Sequence, residues 1–396
     1  EDFAPTVLDA SNFSATYGTA LMLGRPLWAT PLNLSTIGDG NSFLASGIGT
    51  DVNYLASTLG AGAGSTYRLA GGPSAALVFS GQDNVLTGAN LVMIGSRLSN
   101  ILSLGNTTTA AVTNLDGTVR IRNSNNYSGG TLVNRGMTLE VDTGAAPGGS
   151  TPLGSGGVEV YGIVQLAADP QGYNGQASFL NAATGANANS FVLRPGGAII
   201  INGQLGQVGG GEGRWDDQGA LDLNGGTFRF NGITGAQTFE TIGALTARKG
   251  GIVQVVRTGS GSASLNLGAL TRADRGVLSI VTSAAGTLGS PGTTNTNFFD
   301  RVTTTSSVTL TGTTLNGAGV VNGGIAPAWI IDASANSFVG YNPGNSTFGT
   351  DTGFQTLFST GAPTAGTLEY SHRITVGTVG SFTSDGVSSE FTGGTA

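Results

Sequence analysis

Short apolar alternations, closed off on both sides by Gly, Asn, Asp or Ser, recur along most of the chain. Leu91-Val92-Met93-Ile94, Val119-Arg120-Ile121, Leu139-Glu140-Val141, Val158-Glu159-Val160 and Ile163-Val164-Gln165-Leu166 come first. Ala198-Ile199-Ile200-Ile201, Leu221-Asp222-Leu223, Phe228-Arg229-Phe230, Val253-Gln254-Val255, Leu265-Asn266-Leu267 and Leu278-Ser279-Ile280 follow. A period of two bounded by turn residues specifies short strands with one face buried, and helical periodicity is almost absent. No such segment can shield its own apolar face, so each needs a partner copy stacked on it.

Spacing separates the two ways of stacking. From Val119 to Leu139, and from Leu139 to Val158, the step is about twenty residues, in the range of solenoid repeats. A sandwich would place strands every eight to twelve residues or so. Minor strands such as Gly130-Thr131-Leu132-Val133 lie inside the step, giving two or three short strands per coil. The expected fold is therefore all-β: a right-handed parallel β-helix, or β-solenoid, with irregular terminal caps. About fifteen to twenty coils, stacked roughly 4.8 Å apart, would make a rod somewhat under ~100 Å long.

Composition agrees. The chain has 396 residues with 68 glycines but no Gly-X-Y period, which excludes collagen. A hydrophobic fraction of 39% is too high for a disordered linker. Charged residues make up only 10%, so surface polarity falls to Thr, Ser, Asn and Gln. The net charge of −7 is thinly spread and leaves no basic stripe for nucleic acid. The chain lacks cysteine, which removes disulfides, thiolate metal sites and Cys nucleophiles. No apolar run approaches the ~18 residues of a membrane helix. The opening Glu1-Asp2-Phe3 reads as a mature chain whose signal peptide has been removed, or as part of something longer.

Three regions differ in texture. Residues 1–65, with Pro26, Trp28 and Pro31, are expected to form the N-terminal cap and first coils. Residues 66–330 carry the repeat, with a looser stretch at 168–190 read as an inserted loop. Residues 331–396 are Gly/Ser/Thr-rich with scattered aromatics, either the last coils or a small terminal β element.

One segment carries a more specific signal. Asn126-Tyr127-Ser128-Gly129-Gly130-Thr131-Leu132-Val133-Asn134-Arg135-Gly136-Met137-Thr138-Leu139-Glu140-Val141 resembles the autotransporter-associated β-strand repeat. Asn125 or Asn126 takes the leading position, and Tyr127, Ser128, Gly129, Thr131, Val133, Gly136, Leu139 and Val141 fit the pattern. The continuation Leu153-Gly154-Ser155-Gly156-Gly157-Val158-Glu159-Val160 fits with one extra glycine. The stretches Leu223–Phe230, Leu265–Arg272, Gly324–Asp332 and Phe338–Tyr341 resemble the same large surface proteins. The resemblance implies a secreted parallel β-helix of the passenger type, serving adhesion, surface coating or export. Its motif residues (Asn126, Tyr127, Gly129, Thr131, Val133, Gly136, Leu139, Val141, Leu153, Gly154, Gly156 and Val158) are expected to be structural. Nothing in the chain resembles the translocator barrel of that family.

Candidate chemistry is sparse. A polysaccharide hydrolase needs clustered carboxylates. Asp216-Asp217, beside Trp215 and near Glu212, is the one adjacent acidic pair. It reads more simply as a solvated turn than as an acid/base pair on a sugar-stacking Trp. His372, the single histidine, would have to serve any Ser-His-Asp triad, and no Gly-x-Ser-x-Gly elbow accompanies it. One histidine and no cysteine argue against zinc. Calcium stays open as a cofactor without a site, because Gly209–Asp216 lacks the calcium nonapeptide order. Gly60-Ala61-Gly62-Ala63-Gly64 lacks the Lys-Ser/Thr of a phosphate loop and reads as a turn.

The expectation is a secreted, non-enzymatic structural and adhesive solenoid on the bacterial surface or in the extracellular matrix. Its partners would be its own ends, joined by strand addition into a filament or layer, and surface glycans. The alternatives are a monomeric adhesin passenger and a polysaccharide-degrading β-helix enzyme.

Overall fold

The computed structural model describes residues 20–96, 101–103, 111–113, 117–141, 151–166, 190–203, 215, 219–259, 261–284, 288–289, 300–305, 307–308, 324–342, 353–356, 382–384 and 387–389. Within them the regular structure is β throughout, apart from a single 3-10 turn at Leu34–Thr36. Two long sheets dominate, and the chain alternates between them. Face 1 has ten strands, running from Ala20–Leu23 to Leu270–Arg272. Face 2 has fourteen, and its parallel part runs from Leu27–Trp28 to Ile330–Asp332. Face 3 is shorter, with the parallel strands Gln237–Ile242, Ser262–Leu267 and Asp300–Thr304. This is a parallel β-solenoid, each rung hydrogen-bonded to the rungs above and below.

The alternation seen in the sequence becomes two columns inside face 2. Val52, Leu77, Val119, Leu139, Val164, Ile199, Phe228, Val253 and Ile280 stack in register, one per rung, and none retains solvent exposure. A second column begins Tyr54, Phe79, Ile121, Val141, Leu166. It ends Ile201, Phe230, Val255. Face 1 contributes Val133, Val160, Leu193, Leu223 and Ala247 from the other side. Burying one such side chain stabilises by about 1.5–3 kcal/mol, so the columns are the main source of cohesion.

The rungs are longer than the twenty-residue step suggests. Register partners are twenty residues apart at Val119 and Leu139, but twenty-five at Leu139 and Val164, and thirty-five at Val164 and Ile199. Val158 does not continue the Leu139 column; it pairs with Thr131 on face 1. The minor strand Thr131–Val133 is thus a full member of the other sheet. Among the described residues, ten face-1 strands at about 4.8 Å each give a stack of ~45 Å.

Both ends carry antiparallel additions. Ile101–Ser103 and Ala111–Thr113 form an antiparallel pair that lies beside the first strand, Ala20–Leu23. At the far end, Ser337–Asn342 reverses against Ile330–Asp332 and then pairs with Gly353–Thr356. That last pair crosses the end of face 3. Tyr341 Oη donates to the Thr304 carbonyl at 3.0 Å, and the Tyr341 and Phe354 rings meet edge-on at 4.9 Å. Val339 and Phe354 are fully buried there, covering the core at the end of face 3. The loop expected at 168–190 lies almost wholly outside the described residues.

Candidate functional site

The motif residues sit where neighbouring rungs touch. Tyr127 is fully buried, and Thr131 nearly so. Burial pushes the Tyr127 phenol well above its usual pKa, against the opposing effect of its Thr131 hydrogen bond. Gly154 lies directly over this ring: a Cβ there would come within 2.0 Å of the Tyr127 carbonyl oxygen. Ser155 N donates to that same oxygen at 3.0 Å. Gly129 is pressed against Asn90 below, and Gly156 against Gly130. Val133, Leu139, Val141, Leu153 and Val158 point into the core. Gly136 instead turns the corner between faces 1 and 2 with φ 78°.

Asn126 is exposed, and its backbone N–H bonds to Leu86. The buried member of the Asn pair is Asn125. Its side chain accepts from Leu86 N at 3.0 Å and donates to the Pro152 carbonyl at 3.2 Å, tying three successive rungs together. The motif names Asn126, but the inter-rung staple is its neighbour Asn125, because a hydrogen-bonding staple shows only in three dimensions.

Trp215 is a core residue, 2% exposed. Its ring lies 4.6 Å from Phe191 and edge-on to Phe228, and its Nε1–H donates to the Gly219 carbonyl at 3.0 Å. It therefore presents no face to a sugar. Asp216, Asp217, Glu212 and His372 lie outside the described residues. Among the described residues, no group of three or more His, Asp or Glu side chains is placed to hold a metal ion, and no helix is long and apolar enough to cross a membrane. The glycines after Leu59 form a turn, closed by Gly62 N to the Thr66 carbonyl at 2.9 Å.

The outer walls carry polar rows that cross from rung to rung. Arg120 pairs with Glu140, whose other oxygen accepts from Gln165 Nε2 at 2.7 Å. Asn231 Nδ2 donates to Asn202 Oδ1 at 2.8 Å. Arg194 meets Glu159 at 2.7 Å, and Arg248 reaches Asp222 and Asp274, each at 3.0 Å. Flanked by two carboxylates, the Arg248 guanidinium is held above its usual pKa. These contacts cross-link the walls from rung to rung.

The corner between faces 1 and 2 is the least uniform part of the wall. In several rungs it takes three to five residues, as in Asn134-Arg135-Gly136-Met137 and Arg194-Pro195-Gly196-Gly197. At one rung it shrinks to Tyr161-Gly162 between Val158–Val160 and Ile163–Leu166. Only glycine fits there, because a Cβ on Gly162 would lie 2.3 Å from the Asn134 carbonyl oxygen and 2.5 Å from that of Met137. The short corner recesses its rung and leaves a notch of about 500 Å³. A second recess, of about 430 Å³, lies where the Ile101–Ser103 and Ala111–Thr113 pair replaces the corner; Asp51 and Arg120 reach it.

No family model, curated protein or solved structure matches the chain.

Proposed function

We propose that this chain is a secreted structural and adhesive β-solenoid of the autotransporter-passenger type, displayed outside the bacterial cell and binding through its side walls. The observation that carries the reading is the wall itself. Outward-facing positions repeat at each rung on a rigid stack, and polar and ionic side chains link rung to rung along it. Such a surface suits weak contacts repeated many times, which sum to firm attachment when several engage together. The motif of Tyr127, Gly129, Thr131, Leu153 and Gly154, used here as rung-to-rung packing, supports the passenger-type assignment.

The reversed strands at the C-terminal end favour single rods over end-to-end filaments. A following molecule would have to displace the buried Phe354 before its strands could add in parallel. Beads coated with the purified chain should attach to bacterial or host cell surfaces, while sedimentation shows a monomer. Coated beads that attach no better than albumin-coated beads would refute adhesion. Release of new reducing ends from a polysaccharide panel would move the assignment to the enzyme alternative.

A further inference from the structure

The notch at the Tyr161-Gly162 corner has a composition unlike the hydrogen-bonded and ion-paired rows around it. Half-buried Tyr161 lines it. One rim is exposed Pro195, and Ile163, 36% exposed, lies beside it. The ring is held in place: Tyr161 Oη donates to Glu159 Oε1 at 3.0 Å, and the same oxygen receives Arg194 Nε at 2.7 Å. Glu159 is thereby neutralised, which leaves Arg135 as the charge of the notch. Arg135 spans the recess from the rung on one side to that on the other, with Nη2 donating to the Pro195 carbonyl at 3.2 Å. Its other guanidinium N–H groups make no hydrogen bond among the described residues.

We infer that this notch binds one acidic sugar unit, a hexuronate-type ring, within a polysaccharide chain. The chemistry follows from the parts. A fixed tyrosine ring beside proline and isoleucine offers a flat apolar floor, suited to the C–H face of a pyranose. A guanidinium with unused N–H groups at its edge is matched to a carboxylate through paired, charge-assisted hydrogen bonds. A volume of about 500 Å³ holds one or two sugar rings, and the recess is open outward, so a longer chain can enter and leave it. A neutral sugar would use the floor but leave the guanidinium unanswered. An acidic peptide side chain would answer the guanidinium but leave the floor empty.

This inference rests on the adhesive reading and names its ligand class. The test is calorimetric titration of the purified chain with a β-1,4-linked glucuronate tetramer and with the neutral glucose tetramer of the same linkage. The acidic tetramer should bind at least tenfold more tightly, and added salt should narrow the gap. Arg135→Gln should remove that preference, and Tyr161→Ala should weaken both ligands, with circular dichroism and melting temperature unchanged for Arg135→Gln. Equal binding of the two tetramers, no binding of either, or an undiminished preference in Arg135→Gln would each overturn the assignment. Bead attachment is scored separately on the same proteins. Attachment without tetramer binding leaves the adhesive reading standing and removes this site, and tetramer binding without attachment does the reverse.

Discussion

The hydroxyls of Tyr127 and Thr131 lie 2.6 Å apart, four residues along the chain and shut away from solvent. Each is the other's partner at the start of a face-1 strand. Tyr127→Phe keeps the ring in its place but strands the Thr131 hydroxyl, and should cost about 1–2 kcal/mol. Tyr127→Ala also opens a cavity beneath Gly154 and should cost about 3–5 kcal/mol. Urea unfolding midpoints check both, with an unchanged slope showing that the unfolded state is not involved.

Alkaline pH should loosen the rod from within. Burial raises the Tyr54 phenol to about 12, and its hydroxyl is engaged by Leu32 N and the Thr58 carbonyl. Tyr127 shifts in the same direction. An unfolded tyrosine ionises near pH 10, so their contribution is intact below that and falls as pH rises from about 10 to 12. The urea midpoint should therefore drop across that window. Tyr54→Phe should flatten the drop.

Gly162→Ala and Gly136→Ala test two different glycine requirements. At Gly162 the obstacle is the neighbouring rung's carbonyl oxygens, and the cost should exceed about 2 kcal/mol, because backbone must move. At Gly136 nothing lies within 4 Å, and the obstacle is φ 78° alone, so about 1 kcal/mol is expected. Thermal melts of the two variants should rank in that order.

Trp215→Ala should destabilise by about 3–5 kcal/mol, because the indole fills core between Phe191 and Phe228. Saccharides should leave Trp215 emission unchanged. This is checked with Trp28 and Trp329 replaced by Phe.

Phe354→Asp should uncover the C-terminal end. A carboxylate cannot stay charged in that position without displacing the pair that contains it. Sedimentation should show the variant associating with concentration while the parent stays monomeric. A strictly monomeric, fully folded variant would mean the pair is not what guards this edge.

Strands were far more legible in the sequence than their pairing. Leu139-Glu140-Val141 and Val158-Glu159-Val160 both show inward apolar and outward polar residues. They look alike because both faces obey the same rule, so spacing alone assigned Val158 to the wrong column. The two-residue corner at Tyr161-Gly162 compounds this by bringing strands of different faces almost together in sequence. Face 3 was harder still. Thr238, Glu240 and Ser264 are buried in it, and Glu240 is retained because it accepts from Trp215 N and Thr241 N. Such polar interior positions erase the alternation. The notch was invisible for a related reason: Arg135, Tyr161 and Pro195 become neighbours only when three rungs stack.

Thr118–Ile121 sits on Ala76–Phe79 in unbroken register, although the chain between them makes the excursion through Ile101–Ser103 and Ala111–Thr113. The interior does not record how far the polypeptide strays before it returns. Whole segments can thus be gained, lost or exchanged at the corners while the inner columns keep their order. Outward variety and inward constancy are thus decoupled: the path between Gly95 and Gly117 can be long while the storeys on either side keep their alignment.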